Sequence, residues 1–294
     1  MPTVERDGFN IYYEIVGNDD GKPLLLVAGS GEQIGAVEFP RQQCDIFASE
    51  GFRVIRMDNR DAGLSLPLHE LPKFDTRGAL QNSDFSAIPY SRMDMAADAV
   101  AVLNDVGLGK VDLVGASMGG YIVRWIAINY PERVNSLTII MSGSGAGPKE
   151  DGPQFSKNIM DRLLTLSERY DREEAIEINV ELWRWLWGNG YPFEEDFVRN
   201  AVTYAHDRSY RPEGFARQSV SAISSPGLWE NQVVIECPTL ILHGEKDPCF
   251  STDHAIAIKK RIQNSELWID PLMGHIVHRE QWHDLASRIK LLSG

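Results

Sequence analysis

Two apolar patterns alternate along the first 142 residues. Asn10 to Gly17 alternates apolar and polar positions and is rich in strand formers, which predicts a half-buried strand after the turn at Asp7-Gly8. Pro23-Leu-Leu-Leu-Val-Ala28, Phe52-Arg-Val-Ile-Arg-Met57, Val111-Asp-Leu-Val114 and the stretch from Val134 to Met141 are short apolar runs. Strands covered on both faces of a parallel sheet carry such runs. Between them lie helical stretches at 38–50, closed by Gly51, at 91–106, ended by Gly107, and at 121–129. Residues 66–90, which include Pro67, Pro72, Gly78 and Pro89, show no period and predict a long loop. Strand and helix in alternation predict an α/β domain with a mostly parallel central sheet flanked by helices.

The pattern changes at Gly143. From there to Glu236 no buried-strand run occurs, and helical stretches follow one another at 156–170, 171–187, 194–206 and 214–223. The α/β pattern then resumes, with strands at 238–243 and 266–269 and helices at 251–263 and 280–292. The expected division is a core of 1–142 and 237–294 interrupted by a helical cap at 143–236. Such a cap would lie over the carboxyl edge of the sheet, where open α/β sheets place ligands. Ala175 to Trp187 is apolar around most of a helix circumference, so it is buried on more than one side. Either it packs in the core and against a second copy, or one side lines an aromatic pocket. Tyr121, Trp183, Trp187, Tyr191 and Phe193 are the pocket candidates.

Gly115-Ala-Ser117-Met-Gly119 carries the chemistry. A G-x-S-x-G alone arises by chance in about one chain in ten of this length. Here it follows a strand run directly and opens a helical run, as a nucleophile elbow requires. A serine hydroxyl is a weak nucleophile and needs a base. His275, in Asp270-Pro-Leu-Met-Gly-His275, follows the last predicted strand; His278 and His283 are nearby alternatives. The acid is expected after the preceding strand, in His243-Gly-Glu-Lys-Asp247-Pro, where Asp247 is the first choice and Glu245 the second. An oxyanion needs two amide donors; the N–H groups of Met118 and of Ser30, in Ala28-Gly29-Ser30-Gly31, are the candidates. The expected reaction is attack of Ser117 on an ester carbonyl, proton transfer through His275, and hydrolysis of an acyl-enzyme by water.

Composition narrows the partners. The chain has 294 residues, 29 Lys plus Arg against 42 Asp plus Glu, and a formal charge of −13. Such a surface repels phosphate backbones and anionic membranes and favours neutral or cationic esters over anionic ones. Cys44, Cys237 and Cys249 match no zinc or redox spacing, so no metal or cofactor is expected, and sparse free thiols fit a reducing, cytoplasmic compartment. The start of the chain lacks the pattern of a secretion signal, and no apolar run approaches the ~20 residues of a membrane helix. A monomer and a homodimer are both compatible with the pattern.

The motifs around Ser117, Asp247 and His275 resemble the α/β-hydrolase superfamily. Asp58-Asn-Arg60-Asp-Ala-Gly63-Leu-Ser65 resembles its D-x-R-x-x-G-x-S loop, in which Arg60 would tie loops together near the site. With Leu24-Leu-Leu-Val-Ala-Gly29, Ala96-Ala-Asp-Ala-Val-Ala-Val-Leu103 and Met273-Gly-His275, the chain is similar to aclacinomycin-type methylesterases, which remove a methyl ester from an anthracycline polyketide. The resemblance implies a serine esterase acting on a small-molecule ester. Carbon–carbon bond hydrolases, lactonases and perhydrolases use the same triad and are the alternatives. A slow-turnover ligand receptor is the alternative outside enzymes.

Overall fold

A computed structural model describes residues 2–72, 74–82, 84–146, 153, 157–223 and 227–294. Its strands are β1 (Thr3–Arg6), β2 (Phe9–Val16), β3 (Lys22–Val27), β4 (Phe52–Met57), β5 (Leu66–Pro67), β6 (Val111–Ala116), β7 (Val134–Ile140), β8 (Thr239–Gly244) and β9 (Ser265–Asp270). They form one sheet in the order β1-β2-β4-β3-β6-β7-β8-β9, with β5 pairing on β2. From β4 to β9 all neighbours are parallel, whereas β1, β2 and β5 are joined antiparallel. Every residue of β6 and of β8 is buried, as the continuous apolar runs predict for strands covered on both faces.

Two helical layers provide that cover. Met95, Ala99 and Leu103 of helix Arg92–Asp105 and Ile122 and Ile126 of helix Met118–Asn129 pack with Ala255 and Ile258 of helix Thr252–Arg261 in one core. Cys44 and Phe47 of helix Arg41–Ser49 pack with Leu285 and Ile289 of helix Trp282–Leu292 in the other. The free thiol of Cys44 is thus a small core side chain.

Three local expectations change. β1 alternates exposed and half-buried positions with Val4 as its one apolar residue and so shows no apolar run. The stretch read as a loop contains β5 and a helix, Thr76–Asn82. The helix expected from 38 starts at Arg41, because Phe39 takes φ 49° and Pro40 is the N-cap. This leaves Glu38 on a loop.

Between β7 and β8 the described chain contains only helices: Lys157–Leu166, Arg172–Leu186, Glu195–Arg208, Pro212–Ile223 and short turns at Leu228–Asn231 and 232–234. The start of the helix expected at 156 lies outside the described residues. Ile176, Val180, Trp183, Val198 and Val202 form a third core, joined by Val37 and Ile276 from the sheet domain. On the outer surface Glu177, Glu181 and Arg184 make a polar stripe, paired with Arg199 and Glu195. Those ion pairs are exposed and contribute little. Buried pairs dock the block instead. Arg208 meets Asp58 at 2.8 Å, and Arg217 and Arg211 both reach the buried carboxylate of Asp61, where Tyr90 Oη also donates at 3.0 Å.

The turn between β6 and its helix depends on close backbone approach. A Cβ at Gly119 would collide with the carbonyl of Val27, which is fixed in β3. Gly119→Ala is therefore expected to cost about 1–3 kcal/mol in urea unfolding. Gly109→Ala, which meets nothing within 4 Å, is the matched control. Equal midpoints for the two variants would contradict this account of the turn.

Candidate active site

Ser117 sits at φ 51° and ψ −116° between β6 and helix Met118–Asn129. A non-glycine residue with positive φ costs free energy and persists only where neighbours enforce it. Here they do: the Ser117 N–H donates to the Ile140 carbonyl at 2.9 Å, and the Ser142 hydroxyl donates to the Ser117 carbonyl at 2.9 Å. The strained turn lifts Oγ off the sheet at the amino end of the helix, where the helix dipole is positive.

The other two predicted side chains meet it there. Ser117 Oγ lies 3.0 Å from His275 Nε2, and His275 Nδ1 lies 2.7 Å from Asp247 Oδ2. Asp247 Oδ1 accepts the N–H groups of Cys249 at 2.7 Å and Phe250 at 3.1 Å. Burial raises the Asp247 pKa, but His275, His243 and the Phe250 amide outweigh it and hold the carboxyl below its usual range. Burial pulls the His275 pKa down; the Asp247 charge and hydrogen bond, then Glu38, reverse this, and the net shift is upward. The His275 N–H donates to the Leu186 carbonyl at 2.6 Å, which fixes the histidine loop against helix Arg172–Leu186.

The alternatives fall elsewhere. Glu245 and His283 are exposed. His278 is wedged against Trp187 and Tyr191 at ring distances of 4.9 and 4.4 Å, and burial lowers its pKa to about 4. His243 lies beneath the acid, with Nε2 at 2.9 Å from the Phe250 carbonyl and 3.5 Å from Asp247.

The two residues named from the sequence as amide donors touch through their side chains. The Ser30 hydroxyl contacts Met118 Sδ at 3.3 Å, joining the loop after β3 to the start of the helix. The Gly29 N–H donates to Glu38 Oε2 and the Gly31 N–H to Gln218 Oε1, each at 2.7 Å. Between these occupied amides, the Ser30 N–H has no acceptor among the described residues. A Cβ on Gly29 would lie 3.1 Å from Ser117 Cβ, so glycine lets this loop close on the serine.

A cavity of about 160 Å³ opens on Ser117 and His275. Tyr121 and Trp183 line it, as expected. Trp187, Tyr191 and Phe193 do not. Trp187 follows the last helical residue, and its ring turns to Phe193 at 5.3 Å while Nε1 donates to the Pro192 carbonyl. These three side chains therefore brace the back of the histidine loop. In their place the wall carries Leu182, Leu186, Phe215, Ser219 and the carboxylates of Glu32 and Glu38. No sequence motif marked these residues, because loops and helices far apart in the chain aim them. Asp247, Cys249 and His275 offer potential ligand atoms within 4.8 Å of one another. However, the acid and the histidine bond each other, and burial raises the Cys249 pKa, which keeps it a thiol.

Comparison with known proteins agrees with this architecture. The alpha/beta hydrolase fold family matches residues 22–176. The chain is 28% identical to the rhodomycin D methylesterase DauP of Streptomyces sp. (strain C5), over 98% of this chain and 97% of that protein. It is 26% identical to a 2-hydroxy-6-oxononadienedioate/2-hydroxy-6-oxononatrienedioate hydrolase of Burkholderia vietnamiensis, over 95% and 89%. The meta-cleavage product hydrolase CumD of Pseudomonas fluorescens IP01 shares the fold, with a TM-score of 0.72 at 17% identity over 99% and 97% of the two chains. No helix among the described residues is long and apolar enough to cross a membrane. With its mostly parallel sheet and its helical block between β7 and β8, the chain belongs to the alpha/beta hydrolase fold family and resembles the rhodomycin methylesterases.

Proposed function

We propose that the protein hydrolyses a carboxylic ester through Ser117, His275 and Asp247, with an acyl-enzyme intermediate. One observation carries this reading: the continuous line from Ser117 Oγ through both ring nitrogens of His275 to Asp247, at 3.0 and 2.7 Å, ending on a serine in a strained turn. Neutral His275 takes the Ser117 proton as Oγ attacks the carbonyl carbon. The Ser30 and Met118 amides receive the oxyanion, aided by the helix dipole. His275 then protonates the leaving alcohol, and the alcohol departs. Water, deprotonated by His275, attacks the acyl-enzyme and releases the acid. Asp247 holds the tautomer and offsets the imidazolium charge.

The helices between β7 and β8 act as a cap in this reading, covering the carboxyl ends of β3, β6, β8 and β9. The apolar wall of Leu182, Trp183, Leu186 and Phe215 favours an aromatic acyl group. A second cavity of about 100 Å³ adjoins the first and shares Trp183 and Phe215 with it, which supports a bulky substrate. The methylesterase relatives support a methyl ester of a polyketide or aromatic natural product. A carbon–carbon bond hydrolase with a doubly anionic substrate fits less well, because Glu32 and Glu38 line the cavity.

Ser117→Ala should lower kcat/KM on p-nitrophenyl acetate by about 10⁴-fold or more and abolish labelling by a fluorophosphonate probe. Wild-type rates in that variant would overturn the mechanism, and labelling without steady-state turnover in the wild type would favour the receptor reading. His275 must be neutral to act, so kcat/KM should rise with pH through a midpoint above the ordinary imidazole value of about 6.5. Asp247→Asn removes the charge that raises this pKa and leaves the burial that lowers it. Its pH–rate limb should therefore move to lower pH, with a rate loss of about 10⁴-fold. An unmoved limb would remove Asp247 from this role. Trp183→Ala should reduce discrimination between a bulky aromatic methyl ester and p-nitrophenyl acetate by about tenfold, the worth of a lost aromatic contact. Unchanged discrimination would place the acyl group elsewhere.

A further inference from the structure

The reacting cavity contains polar groups that the ester chemistry does not use. Glu38 is 5% exposed and belongs to the cavity wall. Its Oε2 accepts the Gly29 N–H, and its Oε1 has no hydrogen bond among the described residues. A Cβ built on Gly29 would lie 3.0 Å from Glu38 Oε1 and 3.1 Å from Ser117 Cβ, which puts this carboxylate beside the serine. Glu32, on the same loop, also lines the cavity, and its Oε2 accepts the Glu38 N–H at 2.8 Å. Neither carboxylate pairs with a Lys or Arg among the described residues. Arg162, in the same wall, lies over the Trp185 ring at 4.2 Å.

A separate element contributes a third free group. Ser219, on helix Pro212–Ile223, is 2% exposed and lines the cavity, yet its hydroxyl has no hydrogen-bond partner among the described residues. Its helix packs on the same loop, through Gln218 on the Gly31 amide. A buried hydroxyl without a partner is unfavourable unless a ligand satisfies it.

These groups conflict with the reaction while the cavity holds only a neutral ester. An ionised carboxylate next to the oxyanion site opposes the negative charge that develops there. Burial first, and then the Glu38 charge, raises the Glu32 pKa to about 8, and burial raises that of Glu38 as well, so the free protein eases the conflict only by holding a proton on the pair. A ligand cation would resolve it. An ammonium group has three N–H donors and no acceptor, matching Glu38 Oε1, Glu32 and Ser219 Oγ.

We propose that Glu38, Glu32 and Ser219 form a subsite for a protonated primary amine carried by the substrate within a few bonds of the scissile carbonyl. This rests on the serine-esterase reading above and names the substrate class that reading leaves open. The amine anchors the acyl part, and its positive charge offsets carboxylate charge beside the oxyanion as that forms.

The test uses phenyl esters of glycine, β-alanine and 4-aminobutanoate, each beside the isostere with methyl in place of ammonium: propanoate, butanoate and pentanoate. For at least one chain length the ammonium ester should exceed its isostere at least tenfold in kcat/KM. Glu38→Gln, which keeps an acceptor for the Gly29 N–H, should bring that ratio towards one. Ratios near one at all three lengths, or a ratio unmoved by Glu38→Gln, would overturn the subsite. Titration calorimetry of wild-type enzyme with the matching anilides measures recognition without turnover. The amine-bearing anilide should bind at least tenfold tighter than its isostere, and equal affinities count against the subsite. Loss of hydrolysis of all esters with this binding preference intact would instead reject the esterase reading.

Discussion

The turn from Asp58 to Ser65 holds the two parts of the molecule in register. All five of its polar side chains fasten neighbours. Asp58 accepts the Ile34 and Leu64 amides and meets Arg208. Asn59 donates to the Ala28 carbonyl, just before the predicted oxyanion loop. Arg60 forms a buried two-point pair with Asp98, at 2.6 and 2.7 Å, under the rings of Phe9 and Tyr90. Asp61, at φ 72°, gathers Arg211, Arg217 and Tyr90. Ser65 donates to the Asp58 carbonyl and accepts from the Tyr12 amide, pinning the turn to β2. Buried charges of this kind add little net stability compared with apolar packing, but leaving one unpaired is costly. The turn therefore restricts how the helical block can sit. Other seatings would leave Asp58 or Asp61 without its arginine partner.

This seating reaches the reactive groups by short paths. Arg208, Arg211 and Arg217 fix two helices of the block. One of those helices presents Gln218 and Ser219 to the loop that carries Ser30, Glu32 and Glu38. A further helix of the block, Arg172–Leu186, presents the Leu186 carbonyl to the backbone of His275. The block thus supports both sides of Ser117, the amide side and the histidine side. Its contribution is geometric, because the three reactive side chains themselves come from the sheet domain.

Electrostatically the site is poised between burial and pairing. Burial alone would favour the neutral forms of Asp247 and His275, and each is drawn towards its charged form because the other offsets desolvation. At His278, only three residues along, burial outweighs the pull of the Asp270 charge, and the pKa falls to about 4. Two histidines in one loop thereby acquire different chemistry from their surroundings. The overall charge of −13 suggested a preference against anionic esters. Within the cavity wall itself stand two acidic residues, Glu32 and Glu38.

The order of apolar runs determined the parallel sheet and the interruption after β7, because burial on both faces of a strand demands an unbroken apolar run. The G-x-S-x-G between strand and helix, and the positions of Asp247 and His275 after the last two strands, were legible because strand ends in this topology converge. β1, β5 and the helix Thr76–Asn82 were not legible, since short elements at an edge bury too little to leave a periodic signal. Nor were the cavity walls. Trp183 and Trp187 are four residues apart and chemically identical, yet one faces Ser117 and the other braces His278. The difference is that the helix ends at Leu186 and the chain then turns against the histidine loop. Glu38 reads as the start of a helix in the sequence, but the positive φ of Phe39 leaves it on a loop beside the serine. Local sequence thus determined which elements form and which residues could react. The seating of the helical block on the 58–65 turn decided what surrounds them, because side-chain direction depends on contacts between segments more than a hundred residues apart.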